Sequence, residues 1–449
     1  MKVDALRSIV GASHVLTDSS VTESYAVDWT GRFVGSTPAV VRPSSTEEVA
    51  AVVSWCTANA VAVVPQGGNT GLVGGSVPLA GEIVLSLRRL ESLTSVDEVA
   101  GQLTAGAGVT IAEVQRTARA VDWDYGVDWG ARDTATIGGS IATNAGGSKV
   151  ARYGDTRAQL LGVEAVLGDG SVVSHLDGLV KDNTGYHLPS LLCGSEGTLG
   201  IVTAARLRLV PRFDERVVAL LGFARVDDAL AACGTLRRAL PSLEAAELFF
   251  DDGLALVCST FHLPMPLSSP AAVYLLVECA DRVDPSDALA SVVSGLGSIG
   301  AAVATAASRR AELWRYREAH TEAINLLGPP HKLDVTLPSR ALAAFVDSVR
   351  ARVLATEPSA RVWLFGHAAD GNLHVNVTGV DPADERIDAA VLGLVAEHGG
   401  SISAEHGIGT AKKRWLHLNR SAAEIAAMRA IKRALDPARI LNPNVLLPS

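Results

Sequence analysis

Cysteine is sparse in this sequence and nowhere paired. Cys56, Cys193, Cys233, Cys258 and Cys279 are scattered, odd in number, and form no C-x-x-C. That excludes a disulfide framework and a structural zinc knuckle, and it fits a reducing compartment. An excess of positive charge is missing too: 39 Lys and Arg stand against 48 Asp and Glu, a formal net charge of -9. Nucleic acid and anionic membranes are poor partners for such a chain, because both require a basic face. A small acidic substrate is compatible, since a local cluster of cations can oppose the global sign. The opening MKVDALRSIVGASHVLTDSS lacks the apolar stretch of a secretory signal. No apolar run approaches the ~18–20 residues of a transmembrane helix. The expected location is therefore the cytoplasm. Internal repeats and low-complexity segments are absent as well.

What is present is a chain of 449 residues, 48% hydrophobic and 19% charged. That suits a compact fold of two or three domains. TEEVAAVVSWCTANAVAVV (46–64) reads as a helix with Thr46 as N-cap, acidic residues in its first turn, and an apolar face of Val49, Val52, Val53 and Cys56. VAVV follows as a buried strand. QLTAGAGVTIAEVQRTARA repeats the strand–turn–helix theme, 163–173 reads as a hairpin turning at Gly168-Asp169-Gly170, and GIVTAARLRLVPR as a strand closed by Pro211. From 213 the texture changes, which marks a second domain. The last stretch, SAAEIAAMRAIKRALDPARILNPN, is an amphipathic helix and a proline-rich tail. One pattern is discounted: GLGSIG (295–300) matches G-x-G-x-x-G but follows a helical stretch instead of a strand, so it reads as a helix end and turn.

Three glycine-rich stretches crowd the first half: PQGGNTGLVGG (65–75), TIGGSIATNAGGSKVARYG (136–154) and CGSEGTLGIVT (193–203). Glycine allows close backbone approach to a ligand, and freed N–H groups make concavities for phosphate. Each stretch alone is an ordinary tight turn. Three together, each after a strand-like piece, point to a large nucleotide cofactor. None ends in the Gly-Lys-Ser/Thr of a P-loop, so ATP hydrolysis is a poor reading.

The second constellation is RVWLFGHAADGNLHVNVTG. Its Gly, Asp and Asn residues oppose a helix. Asp370-Gly371 between apolar alternations predicts a hairpin with a two-residue type I′ turn. That register would put His367 directly opposite His374, close enough to share one ion, with Asn376 on the same face. The plain alternative is two histidines that merely pack near a turn. GGSISAEHGIGTAKKRW then offers a short strand SISAE, a turn HGIG and a helix. Glu405 and His406 are adjacent, so their side chains diverge, which suits a carboxylate for a metal and an imidazole for a substrate. Two histidines and one carboxylate leave coordination positions open, as in catalytic sites. Zinc suits that set; iron or manganese also fits. In ELWRYREAHTEAINLLGPPHKLDVTLP, Arg317 and Thr321 are i, i+4 on a predicted helix, and Lys332, Asp334 and Thr336 alternate with apolar residues as in a half-buried strand. A solvated helix face and a polar strand face are the plain alternatives.

VVRPSSTEEVAAVV, PQGGNTGLVGGSVP, IGGSIATNAGG, RYGDTR, KDNTGYHL and GSEGTLGIVT together resemble the FAD-binding domain of the vanillyl-alcohol oxidase/p-cresol methylhydroxylase superfamily. The resemblance is to the branch that holds D-2-hydroxyglutarate dehydrogenase, D-lactate dehydrogenases and glycolate oxidase subunits, and it covers nearly the whole chain. It implies an α+β architecture. A two-subdomain FAD-binding domain (1–212) would be followed by an α+β substrate or cap domain (213–394). A C-terminal helical segment (395–449) would complete the active site. It implies that Gly67, Gly68, Asn69, Thr70 and Gly71, with Pro65 before them, cradle the FAD pyrophosphate. Thr136, Gly138, Gly139 and Asn144, then Glu196, Gly197 and Ile201, would line the cofactor channel. The first loop has no histidine or cysteine, so FAD is expected to be non-covalent.

By the same resemblance His367, His374 and Glu405 are expected metal ligands and His406 the acid/base. Arg317, Thr321, Lys332 and Asn376 are expected to bind substrate carboxylate. AADGN stands where relatives more often have GDGN, and NPNVLLP where NPGK is usual, which leaves the role of Asn442 near the flavin in doubt. The activity implied is FAD-dependent, metal-assisted oxidation of a D-2-hydroxy acid, foremost D-2-hydroxyglutarate. The alternatives are D-lactate dehydrogenase, a glycolate oxidase catalytic subunit, an oxygen-using oxidase, or an FAD- and metal-binding protein without turnover. The partners implied are the 2-hydroxy acid, an electron acceptor such as an electron-transfer flavoprotein or quinone, and a second copy in a homodimer.

Overall fold

The computed structural model describes residues 3–448. The chain divides into two compact units. Of the described residues, the first comprises 3–147, 153–212 and 405–448; the second comprises 148–152 and 213–404. The C-terminal crossing thus lies at Ala404/Glu405, beyond the expected boundary at 395. The cause is local: helix Glu385–Glu397 packs beside strand His331–Thr336, and Ser401 exchanges backbone hydrogen bonds with Thr336 at 2.8 and 3.1 Å. SISAE is therefore a single bridge at Ser401 and not a strand.

The first unit has two cores, as a two-subdomain FAD-binding fold requires. One surrounds a four-stranded sheet in which Val40–Val41, Ile83–Ser86 and Val63–Gln66 run parallel and Val15–Leu16 joins antiparallel at the edge. Successive parallel strands need a crossover, and helix Thr46–Ala58 supplies the one from Val40–Val41 to Val63–Gln66, two strands that flank Ile83–Ser86. It buries Val49, Val52, Val53 and Cys56 as their spacing predicts. Its N-cap is Ser45, one residue earlier than expected, because the Ser45 hydroxyl accepts the Glu48 N–H at 3.2 Å. The second core lies on an antiparallel sheet ordered Gln102–Gly106, Ile201–Arg208, Leu160–Val166, Val172–His175. The last two strands form the expected hairpin around 168–170.

The C-terminal helix Ala422–Leu435 opens with a capping box, Ser421 with Glu424. After it, buried Asp436 accepts the N–H groups of Ile440 and Leu441 at 3.1 and 2.9 Å. Val63 then bonds Ile440 and Asn442 through the backbone, which carries the tail onto the parallel sheet.

The second unit is built on a seven-stranded antiparallel sheet. Its order is Gly300–Ala304, Glu215–Phe223, Val273–Asp281, Leu243–Phe250, Arg361–His367, Asn372–Thr378, His331–Thr336. One face carries a core of Leu220, Tyr274, Phe249, Phe365 and Trp363 beneath helices Asp251–Phe261, Ala307–Glu318 and His320–Asn325. GLGSIG is the turn between helix Ser286–Val293 and an edge strand, as its context indicated.

A buried charge knot ties residues 148–152 into this unit. Glu244, 1% exposed, lies 3.4 Å from Lys149 Nζ and 3.9 Å from Arg152, and accepts from Arg216 at 2.5 Å. Removing one member of such a knot strands the others in a low dielectric. Glu244→Ala is expected to destabilise the second unit by about 3–5 kcal/mol. Removing exposed Asp227, paired with Arg225 at the surface, should change stability by less than ~0.5 kcal/mol. Urea unfolding of the two variants beside the parent checks both values.

Candidate functional site

In the first unit the three glycine-rich loops converge. The loop after strand Val63–Gln66 packs on the start of helix Ile137–Thr143. A Cβ on Gly67 would meet Thr136 Oγ1 at 2.2 Å, and one on Gly68 would meet the Thr134 carbonyl at 2.1 Å. A Cβ on Gly138 would meet Ala107 at 2.7 Å, and one on Gly197 would meet Pro65 at 2.6 Å. Pro65, Thr136 and these glycines therefore belong to one close-packed group. Asn69, Asn144 and Glu196 all adopt positive φ there, a conformation other side chains resist. Gly71 is different: nothing lies within 4 Å of where its Cβ would be.

Several polar residues expected on the cofactor use their side chains to brace the loops. Asn69 donates to Val27 O at 2.9 Å and accepts from Ser76 at 2.7 Å. Asn144 bridges Asp155 and the Arg157 N–H. Thr136 caps its helix at the Gly139 N–H. Ile201 lies in the apolar core. What they offer a ligand is backbone, the currency in which glycine loops bind pyrophosphate.

Glu196 braces a distant piece of chain: its two carboxylate oxygens accept the Ile408 and Gly409 N–H groups, both at 2.7 Å. Burial pushes its carboxyl up to about 7, against the lowering effect of those two N–H groups and Lys412. The carboxyl thus fixes the loop that begins at Glu405-His406. Glu405 itself accepts the Gly147 N–H at 2.6 Å through Oε1. Asn442, doubtful from sequence, is well placed. Its side-chain amide donates to Gly75 O and Glu196 O at 2.9 and 2.8 Å, and its buried Oδ1 has no hydrogen-bond partner among the described residues. A cradle that excludes Cβ atoms and ends in an orphaned buried acceptor fits a nucleotide cofactor such as FAD.

In the second unit one face of the sheet carries the other candidate residues in rungs. The expected register does not hold: His367 pairs with Asn372, and His374 pairs with Phe365. The hairpin loop is four residues, 368–371, not two. A type I′ turn needs φ > 0 at both central positions, but only Gly371 has it (φ 78°). Asp370 instead accepts the Asn372 N–H at 3.1 Å, and the Ala369 carbonyl is held by Arg237. The register differs by two residues, an even number, so both histidines keep the same face. Their ring centroids are 5.6 Å apart at 75°.

The flanking strands extend the rungs. On one side Lys332 pairs with Asn376, Asp334 with His374, and Thr336 with Asn372. On the other Glu247 pairs with His367, and Phe249 with Phe365. Glu247 was not expected from sequence. It is fully buried, its Oε1 lies 2.6 Å from His367 Nδ1, and its Oε2 lies 2.8 Å from Arg317 Nε. Burial, the largest influence, raises the Glu247 carboxyl, but His367 and Arg317 together outweigh it and hold it below the usual range. It is an anion.

Glu247 meets Arg317 at Nε, which leaves the two Nη atoms of the guanidinium for other partners. The same guanidinium stacks over Phe365 at 4.5 Å. The predicted helix carrying Arg317 and Thr321 is interrupted at Ala319, so the two lie on successive helices, Ala307–Glu318 and His320–Asn325. His320 sits at the break. It is wedged against Phe249 and Phe365 and hydrogen-bonds the Arg317 carbonyl through Nδ1 at 3.1 Å. Burial, reinforced by Arg317, lowers its pKa to about 3, so it is neutral packing. Lys332, largely buried, is lowered to about 8 by desolvation. Two imidazoles, a guanidinium and an amine on one face suit a metal and an anionic substrate.

Residues 37–175 match the FAD binding domain family, and 213–446 match the family described as FAD linked oxidases, C-terminal domain. D-2-hydroxyglutarate dehydrogenase of Xanthomonas citri pv. viticola is 39% identical over 99% of this chain and 96% of its own length. The rat protein named D-2-hydroxyglutarate dehydrogenase, mitochondrial, is 37% identical over 97% of this chain and 83% of its own. Among solved structures, p-cresol methylhydroxylase with substrate bound superposes at a TM-score of 0.77, 18% identical, over 99% of this chain and 96% of that one. The 4-ethylphenol oxidase of Gulosibacter chungangensis gives 0.76 at 19% identity, over 100% and 97%. These two establish the fold. No helix among the described residues is long and apolar enough to cross a membrane.

Gly68→Ala is expected to lose bound FAD, because the added methyl meets backbone that cannot rotate away. Flavin absorbance per mole of purified protein measures this, and stoichiometric flavin in the variant would contradict it. On its full-length relatives and its two matched domains, the chain belongs to the FAD-linked oxidases, in the family of the D-2-hydroxyglutarate dehydrogenases.

Proposed function

We propose that this protein is an FAD-dependent dehydrogenase that oxidises D-2-hydroxyglutarate to 2-oxoglutarate with the help of a divalent metal. The observation that carries this reading is the single sheet face on which His367 and His374 stand together with Lys332, Asn376 and the Glu247-braced Arg317. A dicarboxylic 2-hydroxy acid needs cations for two carboxylates and a polarising group for its hydroxyl; this face supplies residues of each kind.

His367 and His374 would be two ligands. Glu405 would be the third, supported by chain continuity: it follows Ala404, whose N–H donates to Asp334, the cross-strand partner of His374, at 3.1 Å. Zinc suits two imidazoles and a carboxylate, and manganese or iron shares that preference. When bound, the metal would supply Lewis-acid polarisation of the C2 hydroxyl and the flavin a two-electron acceptor.

The remaining work falls to the protein. His406 accepts the proton of the C2 hydroxyl oxygen, a role typically worth ~10²–10⁴-fold. Arg317 offers its Nη fork to a carboxylate, and Phe365 beneath it keeps water from that side. Lys332, with Asn376 opposite and Thr321 nearby in sequence to Arg317, binds the distal carboxylate. Orientation between these anchors supplies much of the rest of the acceleration.

The protein should turn over D-2-hydroxyglutarate with an artificial acceptor, form 2-oxoglutarate, and leave the L-enantiomer untouched. His374→Ala should lose turnover and bound metal yet remain yellow. Full activity in that variant, with no metal, would contradict the shared-ion reading. Lys332 adds a pH signature. Its cation is needed for binding and is lost as pH rises through about 8, so kcat/KM for D-2-hydroxyglutarate should fall above that value. Lys332→Met should remove this limb and raise KM about 10–100-fold, with a smaller effect on D-lactate. Equal effects on both substrates would argue against a distal-carboxylate role.

A further inference from the structure

We infer that two buried carboxylates, Glu247 and Asp334, are positioning residues for the histidine pair, one behind each imidazole, fixing both rings as Nδ1–H tautomers with Nε2 as the metal-binding nitrogen. The inference rests on the metal reading above and extends it to residues outside the ligand set.

The hairpin 361–378 is flanked by a different strand on each side, and each flank contributes one acid. Glu247 comes from Leu243–Phe250 and lies opposite His367, with 2.6 Å between its Oε1 and the imidazole Nδ1. Asp334 comes from His331–Thr336 and lies opposite His374, with 3.4 Å between its Oδ1 and Nδ1. Both acids are wholly buried, at 0% exposure. Ionised carboxylates are costly in such a place unless each lone pair is used.

The other contacts show how each acid is held. Glu247 Oε2 faces Arg317 Nε at 2.8 Å. Asp334 Oδ1 accepts from the Asn372 side-chain amide at 2.8 Å, and Oδ2 accepts the Ala404 N–H at 3.1 Å. Asn372 is pinned in turn by the Val335 carbonyl at 2.9 Å.

A purely structural ion pair would explain Glu247 with Arg317 alone. It does not explain why an acid from the opposite flank also lies beside Nδ1 of the second histidine, at the longer distance of 3.4 Å. A carboxylate that accepts Nδ1–H fixes the tautomer and ring orientation and makes Nε2 a more basic ligand. The two acids also differ in what else they hold. Glu247 ties its histidine to the guanidinium proposed for substrate, whereas Asp334 ties its histidine to the backbone that leads into Glu405.

The test uses the full-length, FAD-loaded protein. Zinc dissociation constants are measured by equilibrium dialysis for the parent, Glu247→Gln and Asp334→Asn, each checked for flavin content. Both variants should bind zinc about 10- to 100-fold more weakly, and only Glu247→Gln should also raise KM for the hydroxy acid. Imidazole ¹⁵N shifts of the metal-free parent supply a second readout that needs no folded variant: His367 and His374 should be Nδ1–H tautomers. Parent-like zinc affinity in both variants, or Nε2–H tautomers, overturns the inference. If the parent binds no divalent ion, the metal reading fails instead, and the tautomers still decide the role of the two acids.

Discussion

The second unit depends on a carboxylate with no access to water. Glu247 sits between His367 and Arg317 in the interior of an antiparallel sheet, where leaving either neighbour unpaired would cost several kcal/mol. Its place follows from strand pairing: Leu243–Phe250 meets Arg361–His367 so that Glu247 and His367 share a rung. Once that rung is set, the guanidinium is drawn to the sheet, Phe365 lies under it, and His320 fills the gap behind. Polar groups of this kind survive in a core when they hold something in position.

The first unit solves a different problem. A dinucleotide needs backbone at close range, and the loops achieve that by excluding side chains where they meet. Gly67, Gly68, Gly138 and Gly197 abut neighbours that leave no room for a Cβ, while Asn69 and Asn144 turn their amides inward as braces. Glu196 and Asn442 carry the bracing furthest, binding segments from the C-terminal part of the chain to the glycine loops. The loop that starts at Glu405-His406 is thereby fixed in the same unit as the cofactor cradle.

Much of this was legible in the sequence where one periodicity or one local rule governed. Helix 46–58, the hairpin around 168–170 and strand 201–208 follow from spacing and turn residues. The histidine hairpin was legible as to face but not register, because alternation fixes parity while loop length depends on contacts such as Arg237 with Ala369. Glu247 was missed because its partner lies 120 residues away. The available signal was a lone acid in the apolar run AAELFF. Asp334 was visible as part of a polar strand face, but solvation was the plain reading, and the structure buries it completely. The break at Ala319 was hidden because it depends on His320 packing between two phenylalanines from distant strands.

In the proposed reaction a metal on the histidine pair and a flavin on the glycine loops act together on one hydroxy acid. Anaerobic titration of the FAD-loaded protein with D-2-hydroxyglutarate, with and without a chelator, tests it most directly. Stoichiometric bleaching of the flavin is expected in the metal-replete protein, with none after chelation and recovery when zinc or manganese is restored. Bleaching that is equally fast and complete in the chelated protein would contradict it.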